Sequence, residues 1–250
     1  MKSDTLALGP LQPILGAPRD NRCRKTITVI KNKLAAISPL RGQRLLDVGC
    51  GDGSFTTALA DGYEQIYGID VQETWLQRFE QRVRDDPHFC VCQMSASAMG
   101  FRDHYFDTLV TIEVIEQIPD LPGAADEFYR VLKPGGELLI TCPNRLFPFE
   151  NHGVRMGGKE YHGRIPLITY VPPLHSLLSL ARVFTVRKLK QIFTPRGFVM
   201  RSVDYAWPTF EHGGNPFQPM LKPLFGLMRV MESSPLRVFG TSIVIRFDKP

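Results

Sequence analysis

Leu45-Leu-Asp-Val-Gly-Cys-Gly-Asp-Gly-Ser-Phe55 is the stretch whose reading decides the fold. A short aliphatic strand runs into glycines at alternate positions and then into a segment that reads as a helix, the opening of an α/β unit. Gly49, Gly51 and Gly53 let the chain turn sharply and bring bare backbone against a ligand where a Cβ would collide. Asp47, at the carboxyl end of the strand, adds a negative charge. A dinucleotide fingerprint needs Gly-x-Gly-x-x-Gly, and counting on from Gly49 and Gly51 puts Ser54 where its third glycine belongs, so a nicotinamide or flavin cofactor fits less well. A plain tight turn is disfavoured as well, because each glycine carries an entropic cost that such a turn need not bear.

Outward from the loop, Tyr67-Gly-Ile-Asp70 closes a second strand at the distance, about 20 residues, where a carboxylate can accept hydrogen bonds from ribose hydroxyls. The same Asp70 also suits the N-cap of a helix beginning near Glu73. Strands are expected at Arg44 to Gly49, Gln65 to Asp70, Phe89 to Met94, Phe106 to Glu113 and Glu137 to Cys142, with helices at Ser54 to Asp61, Glu73 to Arg84 and Gly123 to Leu132. This alternation predicts a doubly wound, mostly parallel sheet covered on both faces. Upstream, Ile27, Ile30, Leu34 and Ile37 mark an amphipathic helix over Arg24 to Ile37. Downstream, Val186 to Thr194 reads as a helix and Phe198 to Trp207 as a strand. Gly240 to Asp248 reads as a further strand, with Ile243, Ile245 and Phe247 on one face.

The expected organisation is an N-terminal extension over 1–23 and one domain over 24–250, with its core at 40–145 and insertions at about 144–185 and 208–237. The first insertion is rich in Pro, Gly, His and aromatics; the second carries Met220, Leu221, Leu224, Phe225, Leu227, Met228 and Met231 with Lys222 and Arg229. The second suits either a helix over the sheet edge or a surface touching a membrane.

The chain has 250 residues, 43% hydrophobic and 22% charged, the composition of a globular protein. No run approaches the roughly 18 apolar residues of a membrane span, and Pro10, Pro13 and Pro18 break up the N-terminus, so a cytoplasmic location is expected. The net charge of +5 suits an anionic partner without choosing one. The five cysteines lack the spacing of a metal site or a disulfide framework; Cys90 and Cys92, on one face of a strand, read as two buried free thiols.

Taken together, Leu45 to Gly53, Gly68-Ile-Asp70, Phe106-Asp-Thr-Leu-Val110 and Arg130-Val-Leu-Lys-Pro-Gly-Gly136 resemble the class I S-adenosylmethionine-dependent methyltransferases in order and spacing, over roughly residues 40 to 145. The resemblance implies a Rossmann-like seven-stranded sheet with a reversed final hairpin, and S-adenosyl-L-methionine as cofactor. It implies that Asp47 and the loop of Gly49, Cys50, Gly51 and Gly53 hold the cofactor's amino acid moiety, with Asp70 on the ribose and the adjoining Val71 among the cofactor contacts. Ser95 and Ala96, after the third strand, stand where family members often carry an acidic adenine contact, and Glu113 follows the fourth strand. Gln117 stands where many members carry a histidine.

The Asn/Asp-Pro-Pro-aromatic motif of nucleobase amino methyltransferases is missing after the fourth strand, where Ile112-Glu-Val-Ile-Glu116 stands. Thr141-Cys142-Pro143 invites comparison with a cysteine nucleophile, but the partner Pro-Cys motif is lacking. Pro143-Asn-Arg-Leu-Phe-Pro-Phe-Glu-Asn-His152 resembles the subset related to enzymes of quinones and other small or lipid-linked acceptors. Glu150 and His152 are the resulting candidates for acceptor positioning or proton removal; a loop braced by a His-to-carboxylate hydrogen bond is the alternative. The expected function is O- or C-methylation of a small or lipid-like acceptor. The rivals are an RNA or protein methyltransferase, or a binding protein that has lost turnover.

Overall fold

A computed structural model of the chain describes residues 20–150, 153–161, 165–207 and 230–250. Seven strands form one sheet: β1 (Gly42–Val48), β2 (Tyr63–Asp70), β3 (Phe89–Gln93), β4 (Phe106–Ile112), β5 (Leu132–Pro143), β6 (Val199–Ala206) and β7 (Ser242–Asp248). Their spatial order is β6-β7-β5-β4-β1-β2-β3. β1 to β5 run parallel, and β7 returns antiparallel between β5 and β6. The reversed final hairpin expected from the family resemblance is therefore present.

Successive residues of the inner strands are aliphatic because both faces of the sheet are covered. Leu46, Leu109, Leu138, Ile140, Ile243 and Ile245 pack on one face with Phe128 of α4 (Leu121–Val131) and with Leu189 and Phe193, which belong to a later helix, Val186–Phe193. Their neighbours Leu45, Val110, Leu139 and Val244 pack on the other face with Ile30 and Leu34 of α1 (Asp20–Ile37) and Leu59 of α2 (Ser54–Leu59). Cys50 and Gly68 lie beneath α3 (Glu73–Arg82), whose Leu76 and Phe79 are buried.

Differences from the sequence reading have local causes. α1 begins at Asp20, four residues ahead of Arg24. α4 begins at Leu121 because the Asp120 side chain accepts the Gly123 amide at 2.9 Å and caps it. β5 begins at Leu132, ahead of the Pro134-Gly-Gly136 turn: Leu132 pairs with Phe106, and Gly135 (φ 78°) absorbs the shift in register before Glu137 pairs with Thr108. The cysteine expectation is corrected. β3 is the edge strand, so Cys90 is exposed and Cys92 only partly covered, with their sulfurs 3.7 Å apart.

The first insertion has more regular structure than its composition suggests. Two short antiparallel pairs, Phe149–Glu150 with Ile165–Pro166 and Val154–Met156 with Lys159–Tyr161, precede α5 (Pro172–Leu178) and α6 (Val186–Phe193). Of the second insertion, expected at about 208–237, residues 208–229 lie outside the described residues, and the remainder leads into a short 3-10 turn at Pro235–Phe239. Among the described residues, no helix is long and apolar enough to cross a membrane.

Candidate functional site

The strand order reverses between β1 and β4, and open α/β sheets bind ligands in the crevice at the carboxyl ends of strands on either side of such a switch. The glycine loop emerges here. Gly49, Gly51 and Gly53 all have left-handed backbone, with φ of 77°, 54° and 75°. The three are not equivalent. A Cβ at Gly49 would lie 2.5 Å from the Val114 side chain, and one at Gly53 would lie 2.1 Å from the Phe79 ring, whereas one at Gly51 would meet nothing within 4 Å. Gly49 and Gly53 thus set the loop against the chain leaving β4 and against α3, and Gly51 presents open backbone to the crevice.

Two carboxylates frame the loop. Asp70 accepts the Gly51 amide through Oδ2 at 3.1 Å and the Gln72 amide through Oδ1 at 2.9 Å. Each carboxylate oxygen has two acceptor positions, so hydroxyl donors from the crevice side can still be received. Asp47 lies buried below the loop and accepts the Thr56 hydroxyl at 2.6 Å. Burial pushes its carboxyl up to about 7, against the Thr56 hydrogen bond and with the Asp70 charge adding to the rise. Cys50 offers only backbone: its amide joins that of Gly49 on the Ile69 carbonyl, and its buried side chain packs with Leu76 and Phe79.

The remaining predicted cofactor residues sit at the ends of β2, β3 and β4. Val71 is 61% exposed, and its carbonyl accepts the Gln93 side-chain amide at 3.0 Å. Exposed Ser95 and half-buried Ala96 lie in a turn that begins where the Met94 amide meets the Asp70 carbonyl. Glu113 has φ 53°, an uncommon conformation outside glycine, and its amide donates to the Thr141 carbonyl. All ten predicted cofactor residues are therefore gathered along the carboxyl edge of β1 to β4.

The predicted acceptor residues fall elsewhere. Glu150 is buried and engages His175 Nε2 at 2.5 Å, while the Ser179 hydroxyl donates to the same oxygen at 3.1 Å. The His-to-carboxylate brace weighed from sequence is thus present, but its histidine comes from α5. His152 lies outside the described residues. Cys142 is fully buried, and burial, with the charges of Glu113 and Glu116 nearby, pushes its thiol well above the usual range, which removes it as a nucleophile.

Several residues that shape the site were missed from sequence. Arg82 holds the loop's Asp52 by its carboxylate at 2.8 Å and its carbonyl at 2.9 Å. Arg130 donates to the Met99 and Phe101 carbonyls and pairs with Glu127 and Asp103, tying the turn after β3 to α4. Arg182 donates to the carbonyls of Ile115, Glu116 and Ile118 in the loop after β4. Arg82 and Arg182 carry no sequence signal, and Arg130, although it opens the Arg130–Gly136 run, gives no sign there of the carbonyls it holds, since each acts on backbone distant along the chain. Among the described residues there is no group of three side chains able to hold a metal ion.

Residues 46–140 match the methyltransferase domain family. The chain is 33% identical over 171 residues to a rat mitochondrial ubiquinone biosynthesis O-methyltransferase, covering 66% of this chain and 47% of that protein. It is 34% identical over 104 residues to a demethylmenaquinone methyltransferase of a Geobacillus strain, covering 40% and 44%. The chain thus spans less than half the length of these curated relatives. A solved structure of an S-adenosylmethionine-dependent methyltransferase from Mesorhizobium loti superposes with a TM-score of 0.60 over 88% of this chain and 97% of that one, at 17% identity.

Proposed function

We propose that this chain, whose residues 46–140 match the methyltransferase domain family, is a class I S-adenosylmethionine-dependent methyltransferase that moves a methyl group from that cofactor to an oxygen or carbon atom of a small, lipophilic or lipid-linked acceptor. The observation that carries the reading is the loop of three left-handed glycines, open at Gly51, framed by Asp70 and with Asp47 beneath it. When bound, S-adenosylmethionine supplies a methyl already activated on a sulfonium, so holding the acceptor in line and excluding water can provide much of the catalysis.

The chain's own residues divide that work. The Gly49–Gly53 backbone receives the amino acid end, and Asp70 accepts from the ribose hydroxyls. The exposed Val71 side chain and the Ser95–Ala96 turn flank the adenine, and Glu113 closes the crevice from the β4 side. Asp47 responds to charge above it, because a cation at the loop favours the ionised carboxylate over the protonated form that burial favours. Glu150 acts as a positioning residue through His175 and Ser179, and His152, two residues further on, orients the acceptor or takes its proton.

Support for a lipophilic acceptor comes from the named substrates of the relatives and from the first insertion. Leu146, Phe149, Leu167, Tyr170, Leu174 and Leu177 are all exposed there, between 37% and 77%. Apolar side chains exposed in one segment suit a greasy ligand or peripheral contact with a membrane.

Calorimetric titration with S-adenosylmethionine, S-adenosylhomocysteine and NAD tests the cofactor. Micromolar binding of the first two and none of NAD is expected; the reverse pattern refutes the reading. Release of S-adenosylhomocysteine on adding a lipid extract, with none on adding RNA or protein, would identify the acceptor class. Binding without release from any extract would favour a protein that has lost turnover.

A further inference from the structure

A second concavity lies at the same edge of the sheet, where the chain leaving β5 meets the start of α6. The backbone there is closed in both directions: the Arg145 amide donates to the Phe184 carbonyl at 2.8 Å, and the Phe184 amide donates to the Pro143 carbonyl at 2.9 Å. This places Arg145 near Thr185, whose side chain caps α6 by accepting the Lys188 amide. The cleft has a volume of about 390 Å³ and is lined by Arg145, Val183, Thr185, Arg187, Lys188 and Gln191. Three of these carry positive charge and none is acidic. Among the described residues, none of the three cations is ion-paired with a carboxylate.

The helix compounds the charge. Arg187 and Lys188 occupy the first turn of α6, which contains no acidic residue, and this is the end where the backbone dipole already favours an anion. Cations placed for helix stability alone belong in the last turn. Like charge gathered from two separate elements around one opening is a local conflict that a bound anion resolves.

We propose that this cleft binds the phosphate or diphosphate group of a ligand. Arg145 and Arg187 supply planar donor pairs to its oxygens, Lys188 supplies a mobile countercharge, and the Thr185 hydroxyl and Gln191 amide supply further donors. Three cations exceed what a single carboxylate would neutralise, and the guanidinium fork matches phosphate oxygens. Next to the cleft-lining Val183, Arg182 donates to the carbonyls of Ile115, Glu116 and Ile118, which ties this segment to the loop after β4. The inference goes beyond the methyl-transfer reading and does not depend on it, since binding is measured without cofactor.

The test is calorimetric titration of the whole chain with inorganic pyrophosphate at low salt, repeated for Arg145→Gln, Arg187→Gln and, as a control on α6 outside the cleft, Lys190→Gln. Saturable binding that weakens about 10-fold in each arginine variant and is nearly unchanged in the control is expected. A second arm compares vesicles of phosphatidylglycerol with vesicles of phosphatidylcholine. Partition onto the anionic vesicles alone, lost in the arginine variants, assigns the phosphate to a lipid headgroup, whereas pyrophosphate binding without vesicle binding assigns it to a soluble ligand. Failure to bind either probe, or equal weakening by Lys190→Gln, overturns the proposal. Because S-adenosylhomocysteine binding is read separately, failure here leaves the methyltransferase reading standing.

Discussion

Gly51 and Gly53 share a left-handed backbone but answer to different constraints, so the same substitution separates folding from binding. Gly53→Ala drives a methyl into the Phe79 ring and is expected to cost about 2–4 kcal/mol, read as a lowered Tm. Gly51→Ala pays only the left-handed penalty of about 1–2 kcal/mol, yet places a methyl on the open face of the loop. It should therefore keep the fold while S-adenosylhomocysteine affinity falls by about 10-fold or more, a loss of about 1.4 kcal/mol; unchanged affinity would show that the ligand does not approach this backbone. Asp47 makes a prediction in pH. Its carboxyl titrates at about 7 in the folded chain against an ordinary 3.8, so between these values the native state keeps a proton that the unfolded chain releases. Stability from this group is full below 3.8 and falls as pH rises to about 7. Asp47→Asn should flatten that part of a Tm-against-pH curve. His152→Ala should slow transfer and leave cofactor binding unaltered; equal rates would remove it from the acceptor side.

At the scale of elements, the site is held by arginines that reach across chain segments to backbone carbonyls. Arg130 is the clearest, because four groups on the turn after β3 and on α4 converge on one guanidinium, and these partners raise its pKa further. Arg130→Met keeps the aliphatic stem and removes the donors. A stability loss of about 1–3 kcal/mol is expected, with hydrogen exchange rising selectively at residues 95–101. Cofactor affinity should fall with it if the Ser95–Ala96 turn flanks the adenine. Asp107 works similarly at the opposite edge. Burial raises its carboxyl, but Lys133 at 2.6 Å and the Arg44 and Gln43 amides outweigh this and hold it below the usual range, joining β1, β4 and β5 at their starts.

At the scale of the molecule, the sheet is closed by its last residues. Lys249 is buried, and its ammonium donates to the Tyr129 and Leu132 carbonyls at 2.6 and 2.8 Å while lying 4.3 Å from the Tyr129 ring centre. The strand that reverses direction is thereby tied to the end of α4 and the start of β5. Lys249→Met leaves two carbonyls without that donor, and a loss of about 1–3 kcal/mol by urea denaturation is expected, with S-adenosylhomocysteine affinity unchanged because the pin is at the amino edge of β5.

The sequence by itself determined the doubly wound class, the glycine loop and the carboxylates beside it, and the family resemblance picked out the rest of the ten residues that line the carboxyl edge of β1 to β4. The class, the loop and the carboxylates rest on local chemistry: aliphatic runs buried on both faces, glycines where the backbone turns left-handed, and carboxylates at strand ends. Only the tertiary structure decided what depends on which distant segments meet. It gave Glu150 a histidine from α5 and left Cys90 exposed on the edge strand. It set three arginines on backbone carbonyls that carry no sequence signature, and it drew Arg145 to the first turn of α6. The physical reason is that a backbone carbonyl is the same acceptor at every position. A cation that binds one, or that faces a cleft, is therefore identified only once the chain has folded.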